Sequence, residues 1–176
     1  MLVPDAAGNL APVPDGLTDE QVLMCPDIMS TGFVGAENAN IRIGDTVVVI
    51  AQGGATTIIA VDGNDERLAV AKKLGADVTL NFRNVDVVDE VLNITGGKGA
   101  DSAIEALGLQ STFEQAMRCI KPGGTLSSLG VYSSDLKIPL GPFGAGLGDH
   151  KINTALCPGG KERLRRLMNV IESGRV

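Results

Sequence analysis

The chain contains no tryptophan, one tyrosine and four phenylalanines among its 176 residues. An aromatic core is therefore excluded, and the interior has to be built from Val, Ile, Leu and Ala within a hydrophobic content of 44%. Basic residues are in the minority, 15 Lys and Arg against 21 Asp and Glu, which leaves a net charge of −6. Nucleic acid binding calls for a clustered basic surface. The most basic stretch, KERLRR at 161–166, reads as the solvated face of an amphipathic helix, so nucleic acid is not expected as a partner. No run approaches the ~20 apolar residues of a membrane span, and Met1 is not followed by a basic then apolar leader. Membrane association is not expected. Cys25, Cys119 and Cys157 are odd in number and widely spaced, which excludes a disulfide framework and a CxxC zinc pair. The expectation is a protein of the reducing cytoplasm.

What is present is a long alternation of strand and helix signals. Residues 1–16 carry Pro4, Gly8, Pro12, Pro14 and Gly16 and read as an extended or loop segment. Thr18 with Gln21 forms a capping box for a short helix, and a second helix starts at Pro26 or Asp27 and runs to about Asn40. From there, 46–51 (TVVVIA) and 56–61 (TTIIAV) are β-branched runs of the kind buried on both faces of a sheet. Further strands are expected at 78–80, 102–107, 125–130 and 152–156, and helices at 65–75, 85–95, 111–120 and 160–173. Gly75, Gly96-Gly97 and Pro122-Gly123-Gly124 stop the first three of these helices. Strands alternating with helices mean βαβ units: an α/β, Rossmann-like doubly wound and mostly parallel sheet.

One junction breaks the alternation. Only about four residues around Gly53-Gly54 separate the first two strands, whereas a parallel crossover takes at least ~10–12 residues. Two β-branched runs flanking a glycine pair are instead a hairpin signal. The local chemistry predicts an antiparallel hairpin with Gly53-Gly54 at its tip, and the alternative is a first strand swapped into a second subunit. Either way the sheet lacks its first crossover helix, and one face, with its Val and Ile side chains, is expected to need another cover.

The segment from Asp45 to Gly53 (DTVVVIAQG) resembles the first strand and phosphate turn of the zinc-dependent medium-chain alcohol dehydrogenases. VDGNDER at 61–67 and AKKLGAD at 71–77 match the same family, as do GGKGAD at 96–101, KPGG at 121–124 and DIMSTG at 27–32. The matches follow the family's order and spacing from about Leu17 to Gly174, closest to its secondary-alcohol branch. The resemblance implies an NAD-linked oxidoreductase that interconverts a secondary alcohol and a ketone. It implies that 1–40 are a remnant of a catalytic-domain linker and helix and that 41–176 form the nucleotide-binding domain. In the family a preceding catalytic domain supplies a Cys and a His to the zinc, so the chain reads as truncated and inactive alone. The alternative is a non-catalytic remnant or engineered minimal domain that oligomerises. The family's phosphate turn is G-x-G-x-x-G opening a helix. Here Ala51 stands at the first position, Gly53 and Gly54 follow, and about a dozen residues of helix are missing. NAD binding is therefore expected to be weak or lost, because the helix N-terminus is the main phosphate anchor.

The resemblance assigns roles to particular residues. Asp62, about ten residues after Gly53 where the usual spacing is nearer twenty, would bond the adenosine ribose and favour NAD over NADP; a helix cap explains the same residue. Arg67 would lie near that ribose or on solvated helix surface. Gly53 and Gly54 would approach the phosphates. Leu107 and Gly108 would lie under the cofactor, and Gly130 and Val131 beside the nicotinamide with Thr31 as the catalytic hydroxyl; ordinary turn residues are the competing reading. Asp27 corresponds to a zinc ligand, or is a helix-start acid favoured by the dipole. One carboxylate does not hold zinc, so zinc belongs to the parent family and is not expected here. His150 reads as a loop or subunit-edge residue rather than a base. A homo-oligomer is expected, with 151–157 as a strand edge open to pairing.

Overall fold

A computed structural model of the chain describes residues 2–50, 57–138 and 140–174. The expected positions Gly53 and Gly54 lie outside the described residues. In chain order the elements are α1 (Ala6–Asn9), α2 (Asp19–Val22), a π-helical turn (Cys25–Met29), α3 (Ser30–Asn38), β1 (Thr46–Ile50), β2 (Thr57–Asp62), α4 (Asp65–Lys73) and β3 (Val78–Asn81). They continue as α5 (Val87–Ile94), β4 (Ala100–Glu105), α6 (Gln110–Cys119), β5 (Ile120–Ser128), α7 (Leu140–Phe143), a 3-10 turn (Gly144–Gly146), β6 (Lys151–Thr154) and α8 (Lys161–Glu172). Two compact units result: Met1–Val34 with Leu156–Val176, and Gly35–Ala155.

The larger unit is a six-stranded sheet in the order β3-β2-β1-β4-β5-β6, parallel at every pairing. This corrects the expected hairpin. β1 and β2 pair parallel within one chain, Thr46 beside Thr57 through Ile50 beside Val61. A link this short falls well below the usual dozen residues of a parallel crossover. From Ile50 to Thr57 there are seven residue steps, a reach of about 25 Å. The register asks for only about 14 Å, four residues along the strand and one strand across. Burial decides the outcome: β1 is central, Val47, Val48 and Val49 are fully buried, and parallel pairing gives both β-branched runs neighbours on each side.

Side chains alternate between the two faces of the sheet. On one, Val48, Ile50, Ile59, Val61 and Leu126 pack with Val87 and Val91 of α5 and with Phe113, Ala116 and Met117 of α6. On the other, Val47, Val49 and Ile104 meet Ala39, Ile41, Ile58 and Leu129, while Ala60 meets Ala71 and Ala76. The face expected to be uncovered is therefore closed, with Val47, Val49 and Ile104 at most 1% exposed. The residue after α3 and the segment leading into β1 supply that cover, which no local pattern announces. Each aliphatic side chain so buried contributes roughly 1.5–3 kcal/mol.

Local signals account for most element ends. Asn64 caps α4 by accepting from the N–H groups of Glu66 and Arg67, and Asp86 caps α5 through Val88 and Asp89. Helix α6 departs from expectation: it starts at Gln110 and no side chain caps it. The Thr112 hydroxyl, in the first turn, donates to Glu105 and to the Leu109 carbonyl. In the smaller unit, Thr18 and Gln21 form the expected capping box at α2. Cys25, Leu167 and Met168 centre a cluster with Leu17, Val22, Met29, Leu164 and Ile171.

Candidate functional site

A parallel sheet gathers the C-terminal ends of all its strands at one edge. Here β1, β2 and β3 progress one way from the centre and β4, β5 and β6 the other, so the chain reverses direction between β1 and β4. Ligands of open α/β sheets bind beyond the strand ends at that switch point. Three of the sequence-expected groups lie on this edge: Asp62 closing β2, Leu107 and Gly108 after β4, and Gly130 and Val131 after β5.

Asp62 keeps 25% of its side chain exposed. Its Oδ1 accepts the N–H of Asn64 at 2.8 Å, and its Oδ2 lies 3.6 Å from a guanidinium nitrogen of Arg67, itself 72% exposed. Both partners are weak holds: a turn N–H and a solvated cation worth about 0–1 kcal/mol. The carboxylate can therefore re-pair with an incoming donor. Beside it, a Cβ on Gly63 would stand 2.5 Å from Phe82 Cζ and 3.1 Å from Arg83 Nε, so both side chains pack close against the glycine. The ring of Phe82 and two guanidinium groups thus flank the end of β2.

The turns after β4 and β5 are pressed together. Gly108 sits at φ +82°, and a Cβ there would collide with the backbone of Val131. A Cβ on Gly130 would collide with Gly108 and reach within 2.6 Å of Glu105 Oε2. Only glycine pairs permit such an approach. Leu107, Leu109 and Val131 carry exposed apolar side chains around it, 52%, 52% and 84%.

Sequence reasoning missed Glu105, which joins these turns. It closes β4 fully buried. Oε1 accepts from the N–H of Leu107 and of Gly108, both at 2.8 Å, and from Thr112 Oγ1 at 2.7 Å; Oε2 accepts from Tyr132 at 2.6 Å. Ser128 Oγ lies 2.7 Å from the same phenol oxygen. Burial and the hydrogen bond to Glu105 push the Tyr132 phenol well above its ordinary pKa. The available signal was an acid ending a buried strand (SAIEAL), a residue type almost never buried without partners.

Asp27 and Thr31 fall in the smaller unit. Thr31 Oγ1 donates to Asp27 Oδ1 at 3.2 Å, one turn apart. The Cys157 thiol donates to the carbonyls of Pro26 at 3.4 Å and Asp27 at 3.7 Å. Catalytic zinc takes three protein ligands and structural zinc four. Among the described residues no three His, Cys, Asp or Glu side chains come together, so this donor set does not fit zinc. The other thiols are kept protonated: burial pushes Cys25 up, and burial followed by the charge of Asp86 pushes Cys119 to about 12.

Residues 43–173 match the model of the zinc-binding dehydrogenases, so the chain belongs to that family. It is 75% identical over 189 aligned positions to an alcohol dehydrogenase of Cupriavidus necator, covering all of this chain and 52% of that one. Against an NADP-dependent isopropanol dehydrogenase of Clostridium beijerinckii it is 38% identical, over 99% of this chain and 54% of the other. An alcohol dehydrogenase structure from Thermus sp. ATN1 superposes with a TM-score of 0.85 at 29% identity, covering 99% of this chain and 53% of that one. The chain spans about half the length of the curated relatives it matches.

Proposed function

We propose that this chain forms the coenzyme-binding half of an NAD-linked alcohol dehydrogenase whose substrate is a secondary alcohol or ketone. The reading rests chiefly on Asp62, a partly exposed carboxylate at the end of β2 whose present partners are a turn N–H and a solvated guanidinium. An acid there accepts the ribose hydroxyls and repels a 2′-phosphate. Gly108, Gly130, Leu107 and Val131 would form the apolar seat on the other side of the switch point, and Arg67 the cationic flank of the ribose. Thr31 would carry the catalytic hydroxyl and Asp27 one ligand of the parent family's zinc. Nicotinamide chemistry would supply the hydride acceptor, while this chain's residues bind and orient it. The preference for NAD runs against the NADP dependence of the isopropanol dehydrogenase relatives. Calorimetric titration with NAD and NADP is the test. NAD binding that weakens in Asp62→Ala supports the assignment, and unchanged NAD affinity in that variant refutes it.

A second reading has its own observation. The alignment to the Cupriavidus relative runs 189 positions against the 176 residues here, thirteen more, close to the dozen residues of a crossover helix. A chain lacking that helix would bind the pyrophosphate weakly and persist as a non-catalytic, oligomerising domain. Among the described residues β6, Lys151–Thr154, is one of the two edge strands of the sheet and pairs on one side, with β5. Sedimentation separates a monomer from a second copy paired along that edge. No helix among the described residues is long and apolar enough to cross a membrane, and cytoplasmic residence is part of the proposal.

A further inference from the structure

We infer that Glu105 is a positioning residue for the nicotinamide half of the dinucleotide, acting as an uncharged-equivalent tether rather than through its charge. This rests on the dinucleotide reading above. Oε1 holds the turn after β4 through the N–H groups of Leu107 and Gly108 and ties it to α6 through Thr112. Oε2 holds the turn after β5 through the Tyr132 hydroxyl. One carboxylate therefore sets the distance between the two turns that carry Leu107 and Val131, the exposed apolar side chains of the rim. The glycine contact between Gly108 and Gly130 lets the turns approach, and Glu105 keeps them there. A flat, weakly polar ring is the ligand chemistry such a rim fits. A site must hold its geometry to about 0.5 Å to act on its ligand, and a rim built of two loops needs that hold from beneath.

The division of partners makes the tether testable. All three donors on one side of the carboxyl group meet Oε1, and only Tyr132 meets Oε2. A glutamine can replace both oxygens. Its carbonyl accepts the three bonds, and its NH2 donates to the Tyr132 oxygen while that hydroxyl turns to Ser128. Glu105→Gln should therefore behave as the unmodified chain, whereas Tyr132→Phe cuts the link to the second turn. The Phe ring keeps its edge contact with Phe113, where the centroids stand 6.2 Å apart. Glu105→Ala removes every hold, and where it fails to fold, Tyr132→Phe carries the test.

The experiment compares NAD with ADP-ribose, which lacks the nicotinamide, by titration of the full chain and the three variants. The expected result is a lower NAD affinity in Tyr132→Phe and Glu105→Ala by about tenfold, the upper size of one ordinary hydrogen bond. ADP-ribose affinity should stay unchanged, and Glu105→Gln should match the unmodified chain for both ligands. Equal loss of both ligands, or a Glu105→Gln variant as weak as Glu105→Ala, overturns the tether while leaving the dinucleotide reading intact. So does an unmodified chain that binds NAD and ADP-ribose equally. A chain that binds neither overturns the dinucleotide reading and the tether together.

Discussion

Two acids close two parallel strands of the same sheet at the same edge, yet they occupy opposite environments. Asp62 ends β2 partly exposed, held by a turn N–H and a solvated arginine. Glu105 ends β4 fully buried, with four donors on its two oxygens. The first can exchange its partners for a ligand at little cost. The second cannot release any partner without stranding a buried polar group. Residue type and topological position are shared; burial alone makes one a candidate ligand-binding group and the other part of the framework.

The sharpest way to break this comparison is to truncate both acids. Glu105→Ala leaves the N–H groups of Leu107 and Gly108 without their acceptor, empties a fully buried site and leaves Thr112 and Tyr132 only their bonds to the Leu109 carbonyl and Ser128; it should cost about 3–5 kcal/mol in urea unfolding. Asp62→Ala should cost less than about 1 kcal/mol. Comparable losses would erase the distinction. Next in size is Gly130→Ala, which drives a methyl group into Gly108 and toward Glu105 Oε2. A thermal melt should show it destabilised by about 2–3 kcal/mol, and a melt indistinguishable from the parent would show that the two turns are not locked together.

Binding effects come third. Asp62→Ala is expected to lower NAD affinity about tenfold while narrowing the gap between NAD and NADP, the scale of a charge-assisted hydrogen bond. Smaller still is a pH effect at the opposite edge of the sheet. Burial pushes the Asp101 carboxyl up, but hydrogen bonds from Lys121 and the Thr46 N–H, with the lysine charge, outweigh it and leave it below its ordinary value. A carboxyl depressed on folding stabilises the fold above its unfolded pKa and loses that contribution as pH falls through its folded one. Acid unfolding should accordingly be shallower in Asp101→Asn below about pH 4; identical acid profiles would remove Asp101 from the account. The smallest expected effect is at Asp27. Zinc uptake by the full chain should be no tighter than by Asp27→Ala, because the described residues bring no third donor to it; a zinc affinity that falls on this substitution would contradict the geometry.

Most elements were legible in the sequence because their causes are local. β-branched runs marked β1 and β2, and Thr18 with Gln21 marked the start of α2. The direction in which β2 lies beside β1 was not legible. The glycine pair between them carries the chemistry of a tight turn, and turn propensity is worth less than burying two aliphatic strands on both faces. The cover over Val47, Val49 and Ile104 was equally hidden, since Ala39, Ile41 and Leu129 belong to no shared pattern. At the site, Asp62 was visible through its place after a strand. Glu105 was not, because its four donors come from residues up to 27 positions away.

By itself the sequence determined an α/β protein with an aliphatic core, the approximate positions of the sheet strands and of the longer helices but not of α1 or α7, and membership of a dehydrogenase family, because periodicity, caps and motif order are properties of neighbouring residues. Only the tertiary structure decided that all six strands run parallel, that both faces of the sheet are closed, and that one of two strand-terminal acids is buried within a web of donors while the other faces solvent. Those outcomes depend on which distant segments meet, and burial free energy, summed over the whole sheet, overrides the preference of any single turn.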